Sequence, residues 1–381
     1  MHIAFLTSEY PHESTSQSAG LGTSIKNLAT ELVKLKHKVT VFVYSQDVSE
    51  ILNVNGIIIH KIGYKKHPFF SWYFYRKDIQ NYINSVVKKE QIDLVEAPDW
   101  TGITAFMKFD CPLLIRLHGS DAYFCNLEGR KQKRKNFFFE QKALKSADYI
   151  TSVSRFTANK TKELFKINKE IKIIHNGIDI EQFSTSIDKI EPNTLLYFGS
   201  IIRKKGVLEL ASIFNLIIEK SSEVKLTLLG KDVIDIFEKT STLELFNDKL
   251  SEKAKNNLLH IEHVPYEEVK SHISKSSVVV LPSFAEAFPM TWLEAMSMNK
   301  ALVTSNIGWS NELMIDGETG FAVNPKNHQL YADRILQLLN DVSLSKKMGD
   351  NARKRIEASF SQQKITQLNV EYYKKIIKNV N

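Results

Sequence analysis

Residues 193–221 read "NTLLYFGSIIRKKGVLELASIFNLIIEKS" and contain the pattern that decides the fold. An apolar, strand-like run over 193–200 is followed by a short basic loop and then by a helical stretch over 206–221. Continuous apolar strands that alternate with helices are typical of a parallel sheet covered on both faces. The stretch therefore predicts one strand–loop–helix unit of such a sheet.

The same unit recurs along the chain. Between the strands lie amphipathic stretches such as 23–37, where Ile25, Leu28, Leu32 and Leu35 recur at helical spacing. The predicted strands are short, apolar and rich in β-branched residues, and they cover 2–7, 38–45, 56–62, 93–97, 112–117 and 149–154 in the first half and 193–200, 224–230, 257–264, 277–283 and 301–306 in the second. This organisation predicts an α/β chain with two doubly wound domains.

The 381 residues are too many for one ordinary core. Segment 181–193 is polar, contains a proline and lacks periodicity, so it is the best candidate for a linker. We predict a first domain over 1–190, a second over 191–358, and a final helix over 359–381 that packs back on the first domain.

Composition excludes several classes of protein. The two cysteines, Cys111 and Cys125, form neither a disulfide framework nor a zinc motif. The chain has no apolar run long enough for a transmembrane helix, and its start resembles a first strand more than a signal peptide, so we expect a cytoplasmic protein. The net charge of +8 favours an anionic partner. The basic residues match no nucleic-acid-binding module, and we expect no nucleic acid.

In open parallel sheets, ligands bind beyond the carboxyl ends of the strands, so the loops after strands are the candidate sites. The loop 8–28 ends with Gly20 and Gly22 directly before a helix, where free amides favour an anion. His118 follows the strand over 112–117 and offers hydrogen bonding and charge near neutral pH.

The loop after strand 193–200 contains Arg203, Lys204, Lys205 and Gly206. Bases at this position suit a phosphate group. The run lacks the order of glycine, lysine and hydroxyl residue that a Walker A loop requires, which excludes an ATPase of that class.

The stretch "EAFPMTWLE" over 286–294 places Glu286 before a predicted helix and Glu294 inside it, with Pro289 in the first turn. Eight helical residues span roughly 12 Å, more than the roughly 5–9.5 Å between paired glycosidase carboxylates. The two acids therefore suit the two ends of an elongated ligand. Helix-start amides among Ala287, Phe288 and Met290, together with Arg203 and Lys205, suit a diphosphate between them.

These motifs resemble the family-4 retaining glycosyltransferases of the GT-B fold. The resemblance runs nearly end to end, through "LHG", "HNGID", "FGSIIRKKG", "EAFPMTWLE" and the region 294–325, in the family's order. It implies two Rossmann-like domains facing across a cleft, and sugar transfer from a nucleoside diphosphate sugar, most often UDP-linked, to an acceptor hydroxyl with retained configuration. The absence of a D-x-D pair agrees with the metal independence that is usual in the family, and no cofactor is expected.

The resemblance also implies roles for single residues. Glu286 contacts the donor sugar, Glu294 the ribose, and the residues between them, including Pro289, the pyrophosphate. His118 orients the sugar, Lys205 stabilises the departing diphosphate, and Gly20 and Gly22 belong to a loop that closes on donor and acceptor. Ser200 stands where the family commonly has arginine, and Arg203 is the candidate replacement. Pro289 stands where glycine is frequent.

Two rival functions stay open at this point, namely a UDP-sugar epimerase of similar fold and a non-catalytic nucleotide-sugar binder. For the transferase, we expect a saccharide or lipid-linked saccharide acceptor in cell-surface polysaccharide or lipopolysaccharide assembly. The aromatic and basic run 64–77 and the basic run 129–135 suit an anionic membrane surface, which predicts a peripheral enzyme at the inner face of the cell membrane.

Overall fold

The structure is a computed structural model that describes residues 1–15, 20–184 and 189–379. The predicted loop 8–28 and linker 181–193 each lie partly outside the described residues. The chain forms two compact units, one of Met1–Gly177 with Gln362–Asn381 and one of Ile178–Ser361. The chain therefore passes from the first unit to the second after residue 177, earlier than the expected boundary near 190, and it returns to the first unit at Gln362.

The first unit contains an eight-stranded sheet in the order β3-β4-β2-β1-β5-β6-β7-β8. Its strands are β1 (His2–Thr7), β2 (Lys38–Gln46), β3 (Glu50–Val54), β4 (Ile57–Gly63), β5 (Leu94–Pro98), β6 (Leu113–Leu117), β7 (Tyr149–Ser152) and β8 (Lys172–Ile173). Strand β3 pairs antiparallel with β4, while the other described pairs are parallel. Strands β3 and β8 were not predicted from the sequence.

Helices cover both faces of this sheet, as the continuous apolar strands require. They are α1 (Gly20–Lys34), α2 (Ser71–Glu90), α3 (Asp121–Leu127), α4 (Arg134–Ser146), α5 (Arg155–Phe165) and the final helix α14 (Gln362–Lys378). Ile25 and Leu28 of α1 share one apolar cluster with Tyr373 and Ile376 of α14.

A buried polar network also holds α14 to the sheet. Arg116 of β6 donates two hydrogen bonds to Glu96 of β5, at 2.6 and 3.0 Å, and a third to Asn369 of α14 at 2.5 Å. Tyr373 donates its hydroxyl hydrogen to Glu96 at 2.7 Å. These groups are buried, so each charge depends on the others for compensation.

The second unit contains a six-stranded parallel sheet in the order β11-β10-β9-β12-β13-β14. Its strands are β9 (Thr194–Phe198), β10 (Lys225–Leu229), β11 (Leu258–Ile261), β12 (Val278–Leu281), β13 (Leu302–Ser305) and β14 (Phe321–Val323). The last of these was not predicted. This order runs outward in both directions from the β9–β12 pair, as in the doubly wound dinucleotide-binding fold.

The helices of the second unit are α6 (Val207–Lys220), α7 (Thr242–Lys249), α8 (Glu252–Lys255), α9 (Tyr266–Lys275), α10 (Met290–Ser297), α11 (Ser310–Leu313), α12 (His328–Asn340) and α13 (Val342–Ser359). Among the described residues, no helix is both long and apolar enough to cross a membrane.

Candidate active site

The candidate site of the second unit lies where the strand order reverses, between β9 and β12. Ligands of doubly wound sheets bind at this point because the loops that follow the two strands diverge there. The loop after β9 carries Arg203 and Lys205, and the loop after β12 leads to Glu286. The amides of Phe284 and Ala285 donate to the Lys204 carbonyl at 2.8 and 3.3 Å, so the two loops are joined through their backbones.

Gly206 makes this close approach possible. Its φ is +74°, in the left-handed region, and a Cβ atom there would lie 1.9 Å from the carbonyl oxygen of Pro282. A larger residue would clash with backbone that cannot move aside easily. The glycine therefore allows the basic loop to pass directly under the end of β12.

Lys205 and Glu286 form the ion pair at the centre of the site. Lys205 Nζ lies 3.0 Å from Glu286 Oε1, and the Ser283 hydroxyl donates to the same oxygen at 3.0 Å. The two side chains are 20% and 13% exposed, so they lie at the surface of the site without being fully solvated. A cation and a carboxylate held in this way can each contact a polar ligand.

Helix α10 begins beside this pair. A Cβ atom at Gly199 would lie 3.6 Å from Lys205 Nζ and 3.8 Å from the Thr291 side chain, so the lysine and the first turn of α10 adjoin the same glycine. The first amides of a helix have no acceptor within it and attract negative charge. Lysine and helix start together form a surface suited to phosphate.

The four candidate donor-binding residues 287–290 differ in burial and in their position relative to helix α10. Ala287 and Phe288 are buried, and the Phe288 ring packs against Phe360 with centroids 5.5 Å apart. Pro289 has extended backbone and precedes the helix, so the prediction that it lies in the first turn was wrong by one position. Met290 is the first helical residue, which leaves the amides from 290 onward as the ones that helix geometry frees.

Glu294 lies within α10, 4% exposed, and accepts a 2.7 Å hydrogen bond from the Tyr266 hydroxyl. Burial raises the pKa of this carboxyl to about 7, against smaller opposite effects of the Tyr266 bond and of the Lys205 charge. Burial also raises the pKa of Tyr266, so the phenol keeps its proton and remains a donor. A buried carboxyl of this kind can change charge near neutral pH.

Arg203 has a partner of its own. Its guanidinium donates to both carboxylate oxygens of Asp235, at 2.7 and 3.0 Å, and the Asp235 side chain is fully buried. The hydrogen bond that Arg203 donates to Asp235 raises the pKa of Arg203, and the same contact lowers the pKa of Asp235. Two N–H donors of Arg203 are thus used in hydrogen bonds to Asp235. Lys205 instead pairs with Glu286, a residue of the candidate site.

The remaining candidates belong to the first unit. His118 follows β6, is half-buried, and its backbone amide donates to Asp99 at 2.9 Å. Burial and the nearby Arg116 charge lower the pKa of His118 to about 3, so the imidazole is neutral at pH 7. The prediction that His118 carries a charge near neutral pH was therefore wrong. The neutral ring can still donate or accept a hydrogen bond.

Gly20 and Gly22 open α1, as expected from the sequence. The amide of Gly22 donates to the Glu9 carboxylate at 2.9 Å. The negatively charged group at this helix start is thus the carboxylate of Glu9, which belongs to the loop after β1. Their expected contacts with donor and acceptor stay a prediction.

Two family models match consecutive parts of the chain. Residues 18–182 match the model described as Glycosyltransferase Family 4, and residues 179–355 match the model described as Glycosyl transferases group 1. The chain belongs to the family-4 glycosyltransferases. The glycosyltransferase is 30% identical over 242 residues to the capsular polysaccharide biosynthesis glycosyltransferase CapM of Staphylococcus aureus, which covers 60% of this chain and 61% of CapM.

Solved structures confirm the GT-B fold of this glycosyltransferase. It matches the sucrose-phosphate synthase of Thermosynechococcus elongatus with a TM-score of 0.82 at 16% identity, over 99% of both chains. It also matches Anabaena HepE in complex with UDP-glucose, with a TM-score of 0.75 at 17% identity, over 98% of this chain and 100% of HepE. These structures confirm the predicted fold class, and the two family models confirm the predicted family.

Two site residues of the glycosyltransferase were not predicted from the sequence. Tyr266 begins α9 and Asp235 lies in the loop after β10, and each is the partner of a predicted residue. Neither stands in a recognisable motif. The predicted strand over 224–230 could have directed attention to the polar residues that follow it, but not to the pairing of Asp235 with Arg203.

Proposed function

We propose that this glycosyltransferase transfers a hexose from a UDP-sugar to an acceptor hydroxyl with retention of the anomeric configuration. The observation that carries the proposal is the Lys205–Glu286 pair, 3.0 Å apart, beside the start of α10 at the strand-order reversal. Cation and helix amides suit a diphosphate, and Glu286 suits the hydroxyls of the sugar beside it. The UDP-glucose complex of HepE supports a UDP-linked donor.

In the proposed step, the bond between the anomeric carbon and the diphosphate oxygen breaks. The acceptor oxygen bonds to the same face of that carbon, and the departing phosphate takes the acceptor's proton. Lys205 stabilises the charge that develops on the diphosphate. No protein nucleophile and no metal ion takes part. Glu294 accepts hydrogen bonds from the ribose, and Arg203, held by Asp235, acts as a positioning residue for the basic loop.

The resemblance to CapM supports a role in cell-surface polysaccharide assembly. The acceptor would then be a saccharide or a lipid-linked saccharide.

A panel of UDP-, GDP- and ADP-sugars tests the donor by thermal stabilisation. A donor present at about 100 times its Kd stabilises the protein by about 2.7 kcal/mol. We expect UDP-sugars to give the largest shift. The preferred donor is then incubated with candidate saccharide acceptors, UDP release is measured, and the anomeric coupling constant of the product is read by NMR. Release should persist in EDTA.

Lys205→Ala tests the site. Loss of one donor to the developing charge is expected to lower turnover roughly 10²–10³-fold. Lys253→Ala, on the exposed side of α8, is the matched control and should leave turnover unchanged. Normal turnover by Lys205→Ala would refute the site, an inverted product would refute retention, and a new sugar nucleotide without free UDP would indicate an epimerase.

A further inference from the structure

We propose that one face of the first unit docks on an anionic lipid bilayer, with Phe69 and Phe70 entering the bilayer interface and lysines from two chain segments meeting the headgroups. This inference is independent of the sugar that is transferred. It concerns the surface formed by residues 64–77, 106 and 131–142, called here the docking face.

Large apolar side chains project from the docking face. Phe69 is 76% exposed and Phe70 is 69% exposed, directly before α2, and Phe74 on its first turn is 44% exposed. Phe70 has a φ of 47°, an uncommon value for a bulky residue. A single exposed apolar residue is ordinary, but three aromatic rings within six positions form a patch of the kind found at interaction sites.

The structure joins two segments that are far apart in sequence. Trp72 of α2 packs against Phe139 of α4, with centroids 4.9 Å apart, and Lys135 Nζ lies 5.8 and 5.7 Å from the centres of these two rings. Phe138, which is 52% exposed, lies beside Phe106 at 6.1 Å. The aromatic run 64–77 and the basic run 129–135 therefore belong to a single face.

Charge on the docking face is available to a partner. In the described part of the chain, Lys65, Lys66, Lys131, Lys133 and Arg134 are exposed and have no acidic partner within ion-pair distance. Arg130 differs from them, because it pairs with the carboxylates of Asp121 and Glu128. Carboxylates of the described residues therefore do not neutralise these exposed basic side chains.

This combination favours a bilayer over a soluble polyanion. A phosphate chain would satisfy the lysines but leave the Phe69 and Phe70 rings in water. An anionic bilayer satisfies both, since aromatic rings settle at the level of the headgroups and each base near the surface is attracted to acidic lipid. The structure therefore selects the membrane as the partner of this face.

Vesicle sedimentation with the full chain tests the proposal. We expect binding to phosphatidylcholine vesicles that contain phosphatidylglycerol, and weak binding to phosphatidylcholine alone. Phe69→Ser with Phe70→Ser should weaken binding at least roughly tenfold at every salt concentration. Lys65→Ser with Lys66→Ser should weaken it roughly fivefold per lysine at low salt, and less as salt screens the charge.

The matched control lies on α13 of the second unit, where Val342 is 75% exposed and Lys346 and Lys347 are also exposed. Val342→Ser with Lys346→Ser and Lys347→Ser should leave binding unchanged. All changed side chains are exposed, so melting temperatures should agree with that of the parent protein. Unchanged binding by the double phenylalanine variant would overturn the proposal. So would equal loss in the control, or tighter binding to soluble polyphosphate than to vesicles.

Discussion

Glu294 allows a prediction about stability whose size follows from its surroundings. Burial in α10 raises the pKa of its carboxyl from the ordinary 4.5 to about 7. Each unit of pKa difference between folded and unfolded protein corresponds to about 1.36 kcal/mol. The difference therefore amounts to about 3 kcal/mol of pH-dependent stability, carried by one side chain.

The sign follows from which state holds the proton. Below about pH 4.5 the carboxyl is protonated in both states, and folding is not disfavoured by its charge. As the pH rises towards 7, the unfolded chain releases this proton while the folded protein keeps it, so stability falls. The contribution is lost once the pH exceeds the folded pKa of about 7.

Glu294→Gln removes this titration but keeps an oxygen that can accept the hydrogen bond from Tyr266. The free energy of unfolding of this variant, minus that of the parent, should therefore rise by about 3 kcal/mol between about pH 4.5 and pH 8. Urea unfolding followed by circular dichroism at a series of pH values measures it. The amide can also change the free energy of unfolding by an amount that is the same at every pH, and such a change does not affect the pH dependence of the difference.

Glu219→Gln, at an exposed position of α6, is the matched control and should give a difference that does not change with pH. A Glu294→Gln difference that is equally flat would refute the raised pKa. Nucleotide binding offers a second measurement if the carboxylate accepts ribose hydroxyls. The affinity of the parent for UDP should then rise with pH up to about 7, and that of Glu294→Gln should rise less.

Two further predictions concern the backbone and the buried network. Gly206→Ala should lower the melting temperature strongly and weaken UDP binding, because its Cβ atom would lie 1.9 Å from the Pro282 oxygen. Gly20→Ala should be nearly neutral in thermal melts, because no atom of the described residues beyond its own helical turn lies within 4 Å of the added Cβ atom. Arg116→Met leaves the buried Glu96 carboxylate without its cation and should cost about 3–5 kcal/mol in urea unfolding, and adding Glu96→Leu should recover much of this loss. A single Arg116 variant that unfolds like the parent protein would contradict the second prediction.

Much of the fold could be predicted because its signals are local. Strand β9, the basic loop and helix α6 follow one another within residues 193–221, and each is specified by the periodicity or composition of its own residues. The missed strands lack that signal. Strand β3 is a short, mostly exposed edge strand that depends on β4 for its pairing, and β8 has two residues.

The boundary between the two units could not be predicted from local sequence signals. Polar composition favoured a linker over 181–193, yet the chain enters the second unit at Ile178, whose amide bonds to the Phe360 carbonyl at 3.0 Å. Gly177 has no positive φ, so no left-handed backbone conformation requires a glycine there. A Cβ atom there would lie 2.8 Å from the Gln362 side chain and 2.9 Å from its Cα atom, a contact between residues far apart in sequence.

The sequence by itself determined the alternation of strands and helices, the family, and the positions of Lys205, Glu286 and Glu294 on loop and helix. Tertiary structure alone decided their partners. In the folded protein Arg203 is hydrogen-bonded to Asp235, Glu294 to Tyr266, and the Gly22 amide to Glu9. Folding also brings two aromatic and basic segments together on one face. Periodicity arises from neighbouring residues and can be recognised in any window, whereas a side-chain partner depends on which strands lie side by side. The order of the strands in turn depends on the packing of the whole sheet.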